Sequence, residues 1–353
     1  MAESTSVAPR IRRLPSATRV FLPLAAFVAL LVYPRLPMFS RPSPQHLVIL
    51  ILIYVVVSTA WNILAGFAGQ VSFGHSLYFG IGAYTSTMLM MKLNVTPWLG
   101  LVVGGLVAVL FSLAVGYPTF RLEGRHFSIA TMALPEIVVA VMNNWKFVNE
   151  AIGLFLPMKS ESFVDFQFHS SKLPYYYIIL SFAVISIGIA YYLENTRPGY
   201  YFKAIRENPT AARSLGINIA RYKQLAGAVS AFLTAAAGTF YAQYVLYISP
   251  DTVFKAEVSI LVVLTCGLGG MGTLWGPVVG SFVLIPIAEL TRIRWGGGGR
   301  AVHLVAYGLL IMLIAVFQPE GLLGWVASVR GRLRRAVARG EPSDEKVRRA
   351  DSE

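Results

Sequence analysis

The residues that could do chemistry in this sequence are a few polar side chains inside otherwise apolar stretches. Polar groups in such surroundings cost free energy unless they are paired, so we expect them to face other helices or a water-filled path. Transient hydrogen bonding to a passing polar solute is the chemistry that they could provide. Five residues are candidates for lining a path of this kind: Gln70, Ser72, His75, Glu136 and Asn144.

Structural roles are also open for these residues at the level of the sequence. His75 could be a hydrogen-bonding group between two helices, and Gln70 and Ser72 could satisfy backbone groups in packing. Glu136 follows Pro135 in the middle of an apolar run, and we expect this proline to break the helix because it lacks a backbone N–H. The Glu136 carboxyl could line a path, form a structural hydrogen bond or stay protonated.

Chemistry that breaks covalent bonds is not indicated by the sequence. No stretch matches the G-x-x-x-x-G-K-[ST] pattern that cradles phosphates, so any ATP hydrolysis must occur on a separate subunit. Cys266 is the only cysteine, which excludes an intrachain disulfide, and no spacing typical of a metal site is present. We therefore expect no catalytic residue, no bound metal and no cofactor bound by this chain.

The elements that must position the polar residues are membrane-spanning helices. The chain has 353 residues, of which 13% are charged, whereas soluble domains carry about 25%. Its length allows about eight to ten spans of roughly 20 residues. We predict an all-α, polytopic membrane bundle with glycine-rich broken segments. The net charge of +13 comes from basic tails and loops, as topology requires, and does not indicate nucleic-acid binding.

The longest internal polar segment, residues 194–224, contains six basic and two acidic residues. An excess of Lys and Arg in a short loop marks the cytoplasmic side of a membrane protein. Within it, Asn208 and Pro209 predict the start of a short helix, and Gly216 predicts its end. A short basic helix on the cytoplasmic face of a membrane domain indicates a docking element for a soluble partner.

The charge pattern divides the chain into three parts: a basic cytoplasmic tail (1–19), a transmembrane domain (20–325) and a basic tail that we expect to be disordered (326–353). The first apolar run, 21–33, is short. A cleavable signal peptide is the alternative to a retained span, but no small-residue cleavage site follows Val32.

If the chain starts in the cytoplasm and crosses the membrane with each span, both termini lie inside a bacterial cell and residues 146–174 lie outside. The same topology puts five arginines outside, against the positive-inside rule: Arg35, Arg41, Arg292, Arg294 and Arg300.

Two glycine-rich stretches, 66–84 and 267–280, interrupt the apolar pattern, one in each half of the chain. Glycine weakens a helix and lets backbones pack closely. We predict a structural role for five glycines: Gly69, Gly74, Gly269, Gly270 and Gly272. Two interrupted segments at membrane depth are typical of inverted repeats with a pathway between them, although either stretch could be re-entrant.

Five motifs appear in one order along the chain: GFAGQVSFGHSLYFGIGAY, HFSIATMALPEI, AIRENPTAARSLGINIARYK, LGGMGTLWGPVVG and FQPEGLLG. Together they resemble the LivM-type permease subunits of bacterial ABC importers for branched-chain amino acids. The resemblance covers residues 47–324. It implies translocation of branched-chain or a broader set of amino acids across the inner membrane, with urea or short amides as the alternative substrates.

The resemblance also implies partners: a second, LivH-type permease, two cytoplasmic ATP-binding subunits, an extracytoplasmic substrate-binding protein, an amino acid substrate and membrane lipid, but no nucleic acid. In that family the ATP-binding subunit docks on a loop with the consensus Glu-Ala-Ala, three residues, then Gly. Thr210 stands here in place of the glutamate, and Glu207 could supply the acid from the helix start. The residues assigned to coupling are Arg206, Glu207, Asn208, Ala211, Ala212 and Gly216.

Two further function classes compete with the importer. A secondary transporter working alone needs an ion-coupling device such as paired intramembrane acids, and the deep acidic residues here are few and scattered. A membrane-embedded enzyme would need a catalytic constellation, which the sequence does not suggest. ATPase and binding-protein reading frames beside this one would favour the importer.

Overall fold

A computed structural model of the chain describes four stretches: 29–35, 42–122, 124–295 and 321–324. Both predicted tails lie outside these stretches, as do the apolar run 301–317 and most of the run 21–33. The chain separates into two compact units, residues 1–46 and 47–353. The described residues of the first unit are helical and include the turn Tyr33–Arg35.

Helices make up most of the described chain. In order they are α1 (Pro42–Asn62), α2 (His75–Leu93), α3 (Pro97–Thr119), α4 (Arg125–Asn143), α5 (Leu173–Asn195), α6 (Arg197–Glu207), α7 (Pro209–Ser214), α8 (Ile219–Val245), α9 (Pro250–Val253), α10 (Ala256–Gly269) and α11 (Gly276–Trp295). A π-helical turn, Ile63–Phe67, extends α1. Two short strands, β1 (Leu154–Phe155) and β2 (Tyr247–Ile248), pair antiparallel. The prediction of an all-α bundle is confirmed.

Six helical segments within the described stretches are long and apolar enough to cross a membrane: Pro44–Phe67, Pro97–Thr119, Arg125–Asn143, Leu173–Asn195, Ile219–Val245 and Pro250–Gly269. Helix α2 is 19 residues long and packs against α3 and α8, and α11 contains a shorter apolar helix, Gly276–Thr291. The protein is therefore a multi-pass membrane protein. The expected count of eight to ten spans depends partly on runs outside the described residues.

The bundle has two different ends, which its loops distinguish. The basic end carries α6 and α7, which connect α5 to α8. The ribbon end carries residues 144–172 and the two paired strands. The loop of the ribbon end folds back on the helices, because Trp98 Nε1 at the start of α3 donates to the Phe163 carbonyl at 2.7 Å. Lys92 at the end of α2 lies over the Phe147 ring at the same end, 3.3 Å from its centroid.

Close packing of α2 against α8 holds the centre of the bundle together. A Cβ atom built at Gly82 would overlap the carbonyl of Ala235, and one built at Gly238 would overlap the carbonyl of Phe79. Thr239 Oγ1 donates to the Gly82 carbonyl at 3.0 Å across the same contact. Small residues let the two backbones approach closely enough for dispersion contacts and interhelical hydrogen bonds, which drive helix association in lipid.

The prediction of a helix break at Pro135 is wrong. Helix α4 runs without interruption through that residue. Pro135 is buried on the same side of the helix as Phe127 and Thr131, so it packs against the bundle. Neighbouring helices support a spanning helix around a proline, and the missing backbone hydrogen bond does not force a break.

Candidate functional site

Helix α6 lies at the basic end as an amphipathic element. It begins after Thr196, with Pro198 in its first turn, and buries Gly199, Phe202 and Ile205 at a spacing of three residues. Phe202 is fully buried in an apolar cluster with the end of α1 and the start of α8. The apolar stripe fixes this polar segment to the bundle.

Helix α7 follows at once and is built as the sequence predicted. The Asn208 side chain accepts a hydrogen bond from the Ala211 backbone N–H at 3.0 Å, which caps the helix at its start. Gly216 follows its end with a φ of +80°, a left-handed conformation that glycine adopts without strain. Ala212 is buried against the bundle. The rest of the short helix faces outward.

Leu215 is an exposed apolar side chain on this segment that the sequence pattern did not single out. It is 79% exposed, next to Gly216, whose Cβ position meets nothing within 4 Å. An apolar side chain therefore stays uncovered directly after α7. Its position one residue before the predicted helix-ending glycine is the signal that could have identified it.

Arg206 joins the basic segment to the first glycine-rich stretch. Its Nη1 donates to the Gly66 carbonyl oxygen at 2.7 Å, although the two residues are 140 positions apart. Its Nη2 lies 3.0 Å from Glu207 Oε1. Glu207 is therefore paired with its neighbour, and its carboxylate is 73% exposed. The sequence assigned Arg206 and Glu207 to coupling without indicating either contact.

The second glycine-rich stretch meets the end of α1 through Asn62, a buried residue. Asn62 Oδ1 accepts from the Gly272 backbone N–H at 2.8 Å, and Asn62 Nδ2 donates to the Thr273 carbonyl at 2.9 Å. The side chain thus provides hydrogen-bond partners for two backbone groups of the second stretch. Asn62 did not appear among the residues selected from the sequence.

The two glycine-rich stretches interrupt helices, as the sequence predicted, and their depth in the membrane stays a prediction. The non-helical parts are short: residues 68–74 connect α1 to α2, and residues 270–275 connect α10 to α11. Arg206 contacts both connections. Gly80 and Gly82 fall inside the continuous helix α2.

The five glycines that we predicted to be structural all lie in or beside these connections. Gly69, Gly270 and Gly272 have positive φ angles of 73°, 118° and 78°. A Cβ atom at Gly269 would overlap the Gly276 carbonyl, and one at Gly74 would lie 3.0 Å from the Thr131 carbonyl. Backbone meets backbone at these points, so side chains have no room.

Gln70 and Ser72 lie in the first connection and are buried. Ser72 Oγ accepts from the Gly74 backbone N–H at 3.1 Å, and the Ser72 carbonyl accepts from Trp61 Nε1 at 2.7 Å. Gln70 Nε2 donates to the Gly69 carbonyl at 3.3 Å, while Gln70 Oε1 has no partner among the described residues. A small cavity beside Ser72 is lined by Gly74, Tyr78, Phe120 and Thr131, among others.

His75 is fully buried between α2 and α8. Its Nε2 lies 2.7 Å from Ser230 Oγ, and its ring meets Tyr78 edge-on with centroids 5.7 Å apart. Its Nδ1 has no hydrogen-bond partner among the described residues. This geometry matches a polar contact between two helices, the alternative that the sequence left open.

Glu136 and Asn144 lie apart from these residues, on the outer side of α4 and just beyond its end. Both are exposed, and Asn144 Nδ2 donates back to the Ala140 carbonyl at 2.8 Å. Only 22% of the 18-residue apolar segment of α4 is buried within this chain. A carboxyl group at mid-span is costly to face towards lipid, so the Glu136 side of α4 needs protein or water against it.

Comparison with known proteins identifies the family. Residues 43–315 match the family model described as "Branched-chain amino acid transport system / permease component". The chain belongs to this family. As a permease component it is a transport subunit and not an enzyme.

Relatives of this permease include proteins named LivM and proteins named LivH. It is 26% identical to the LivM permease protein of Escherichia coli K12, over 89% of this chain and 78% of that relative. It is 26% identical to BraD of Pseudomonas aeruginosa and 24% identical to LivH of E. coli K12, in each case over 77% of this chain and 91% of the relative. All three are named high-affinity branched-chain amino acid transport permeases. No solved structure matches the permease significantly.

Proposed function

We propose that this permease is the membrane subunit of an ABC importer that moves branched-chain amino acids, or a broader set of amino acids, across a bacterial inner membrane. The observation that carries the proposal is the basic end. At this end the permease exposes a short capped helix, α7, and α6 anchors that helix to the bundle. Such a helix can receive force from a soluble subunit without losing its place on the membrane domain.

The orientation follows from charge. The basic end faces the cytoplasm, because residues 194–224 concentrate Lys and Arg. Two ATP-binding subunits serve the complex, and one of them docks on the outward side of α7. The ribbon end faces the other side of the membrane and receives an extracytoplasmic substrate-binding protein. With the first apolar run as a span, both termini are cytoplasmic.

The docking surface consists of the exposed positions around α7. Leu215 offers an apolar anchor, and Glu207 offers an exposed carboxylate three residues before Thr210, where the family consensus has its acid. Asn208, Ala211 and Gly216 shape the helix, while Ala212 packs it onto the bundle. Closure of the ATPase dimer pushes on α7, and the attached helices rock so that a pathway opens to one side at a time.

The pathway runs along the Glu136 side of α4, against a second permease of the LivH type. The permease leaves this side uncovered, and a related second subunit can cover it with a similar surface. Glu136 and Asn144 meet the charged ends of the amino acid, and Gln70 and Ser72 lie towards the cytoplasmic mouth. His75 holds α2 to α8.

The direct test is uptake of labelled leucine by proteoliposomes that contain the whole importer, its binding protein and internal ATP. We expect uptake that requires both ATP and the binding protein. Leucine uptake by this chain alone under an ion gradient would indicate a secondary transporter instead. Uptake of urea but not of amino acids would assign the alternative substrate class.

A further inference from the structure

Arg206, near the end of α6, holds the end of the first spanning helix. The Gly66 carbonyl that accepts its Nη1 lies in the π-helical turn that ends α1, where carbonyl groups lose their helical partners. A guanidinium group at this position satisfies a backbone acceptor and meets the negative end of the helix dipole. One nitrogen of the Arg206 guanidinium group therefore points into the bundle, although 37% of the side chain stays exposed.

The place that Arg206 occupies is built from both glycine-rich connections. A Cβ atom at Gly69 would lie 2.9 Å from Arg206 Cγ, and one at Gly272 would lie 2.6 Å from Arg206 Nη1. Both glycines have positive φ angles, and their lack of a side chain leaves room for Arg206 where it lies. The Arg206 side chain thus lies against Gly69 in the α1–α2 connection and Gly272 in the α10–α11 connection. Asn62, at the end of α1, hydrogen-bonds to the second of these connections at Gly272 and Thr273.

The first connection also holds α4 through two hydroxyl groups. Ser128 Oγ donates to the Val71 carbonyl at 2.7 Å, and Thr131 Oγ1 accepts from the Phe73 backbone N–H at 3.1 Å. Both side chains lie on α4, within eight residues of Glu136. The contacts from Arg206 to Gly66 and Gly69, and from residues 71–73 to α4, therefore link α6 to α4 through the first connection.

We propose that Arg206 is a positioning residue that transmits movement of α6 and α7 to α1, to the α10–α11 connection and to α4. The inference rests on the proposed ATP-driven function and adds to it the internal route by which the docking helix moves the pathway. Arg206 acts through Gly66, so its main contact is inside this permease and not with the ATPase. Coupling between sites travels through such packed and hydrogen-bonded elements when they have two arrangements.

The first test uses hydrogen exchange in the purified chain and needs no transport. Arg206→Ala frees the Gly66 carbonyl, so we expect the amides of residues 66–74 to exchange about tenfold faster than in the wild type. Glu207→Ala is the matched control, because it removes the ion pair of Arg206 and leaves the Gly66 contact in place. Unchanged exchange in Arg206→Ala would overturn the proposed link.

The second test uses the complete importer in proteoliposomes and measures ATP hydrolysed for each leucine taken up. We expect Arg206→Ala to lower uptake about tenfold while hydrolysis stays within about twofold, since coupling between sites typically amounts to 5- to 150-fold. Arg206→Lys should recover part of the uptake, because its ammonium can still donate to the Gly66 carbonyl. An equal fall in uptake and hydrolysis, with release of the ATPase, would show that Arg206 is a docking residue and would overturn the inference.

The two tests separate failure of the inference from failure of the proposed function. A wild-type importer with no ATP-driven uptake would overturn the proposed function, and the exchange result would still decide whether Arg206 holds the first connection. A working importer in which Arg206→Ala couples normally would overturn the inference alone.

Discussion

Gly238 on α8 lies so close to Phe79 on α2 that a Cβ atom built at Gly238 would overlap the Phe79 backbone carbonyl. We expect Gly238→Leu to destabilise the folded chain by at least about 1–3 kcal/mol, the usual cost of overpacking a well-packed interior. Thermal unfolding followed by size-exclusion chromatography in detergent measures the loss.

The matched control for that change is Gly188→Ala on α5, whose Cβ position meets nothing within 4 Å. This substitution should leave the melting temperature unchanged or raise it slightly, because alanine favours helix more than glycine does. Equal stability of Gly238→Leu and the wild type would contradict the close approach of α2 and α8.

Leu215, the exposed leucine directly after α7, gives the sharpest test of docking. We expect Leu215→Glu to lower co-purification of the ATP-binding subunit at least about tenfold, because a charge replaces an apolar anchor at an interface. Gly216→Arg should act similarly, although its φ of +80° adds backbone strain. Affinity purification of the tagged permease, followed by quantification of the ATPase, measures the effect.

Ile152→Glu is the control for docking, because Ile152 is 65% exposed at the ribbon end and receives the same change. It should leave ATPase binding intact. Ala212→Glu is a poorer probe than Leu215→Glu, since Ala212 is only 2% exposed and a buried charge would disturb the fold itself. Retained binding in Leu215→Glu would place the docking surface elsewhere.

A neutral side chain at position 136 tests the pathway. We expect Glu136→Gln to lower leucine uptake about tenfold without loss of the ATPase, because the carboxylate meets a charged end of the substrate at low dielectric. Glu257→Gln is the control: Glu257 is paired with Lys255 at 3.2 Å near the start of α10 and is exposed. Normal uptake in Glu136→Gln would remove this residue from the pathway.

The ribbon-end loop should be sensitive to acid at Glu161. Its Oε1 accepts hydrogen bonds from the Ser170 hydroxyl and from the backbone N–H groups of Ser170 and His169. These bonds, the Ser170 hydroxyl first, hold the pKa of the Glu161 carboxyl below its ordinary value.

A lowered pKa means that the folded loop favours the carboxylate. The resulting stabilisation is present above the ordinary carboxyl value of about 4.3 and is lost as pH falls through the lower folded value. We expect hydrogen exchange in residues 161–170 of the wild type to rise in a step below about pH 4. This pH step should be absent in Glu161→Gln. Glu150→Gln, in the same loop, should keep the step; an unchanged step in Glu161→Gln would contradict the assignment.

Local features of the basic end could be predicted from the sequence because neighbouring residues determine them. Asn208, Pro209 and Gly216 specify the start and end of α7 through a side-chain cap, a fixed φ and a left-handed turn. The family could be identified because several motifs follow one another in a fixed order. Which residues dock, couple or line the pathway stays a prediction.

The contacts that join distant segments could not be read from local patterns. Nothing around Asn62 indicates that it reaches Gly272, and nothing around Arg206 indicates that it reaches Gly66. Glycine content marked both connections but not where they end, since glycine also occurs inside a packed helix such as α2. Pro135 was misjudged for a related reason, because neighbouring helices support α4 around it.

The most direct measurement of the central claim is the accessibility of a cysteine placed at Ser214 on the exposed side of α7. Cys266 is buried and gives little background. A membrane-impermeant maleimide should label Ser214→Cys in inverted vesicles but not in intact cells, and bound ATP-binding subunits should protect it. Labelling in intact cells would place the basic end outside and contradict ATP-driven coupling through α7.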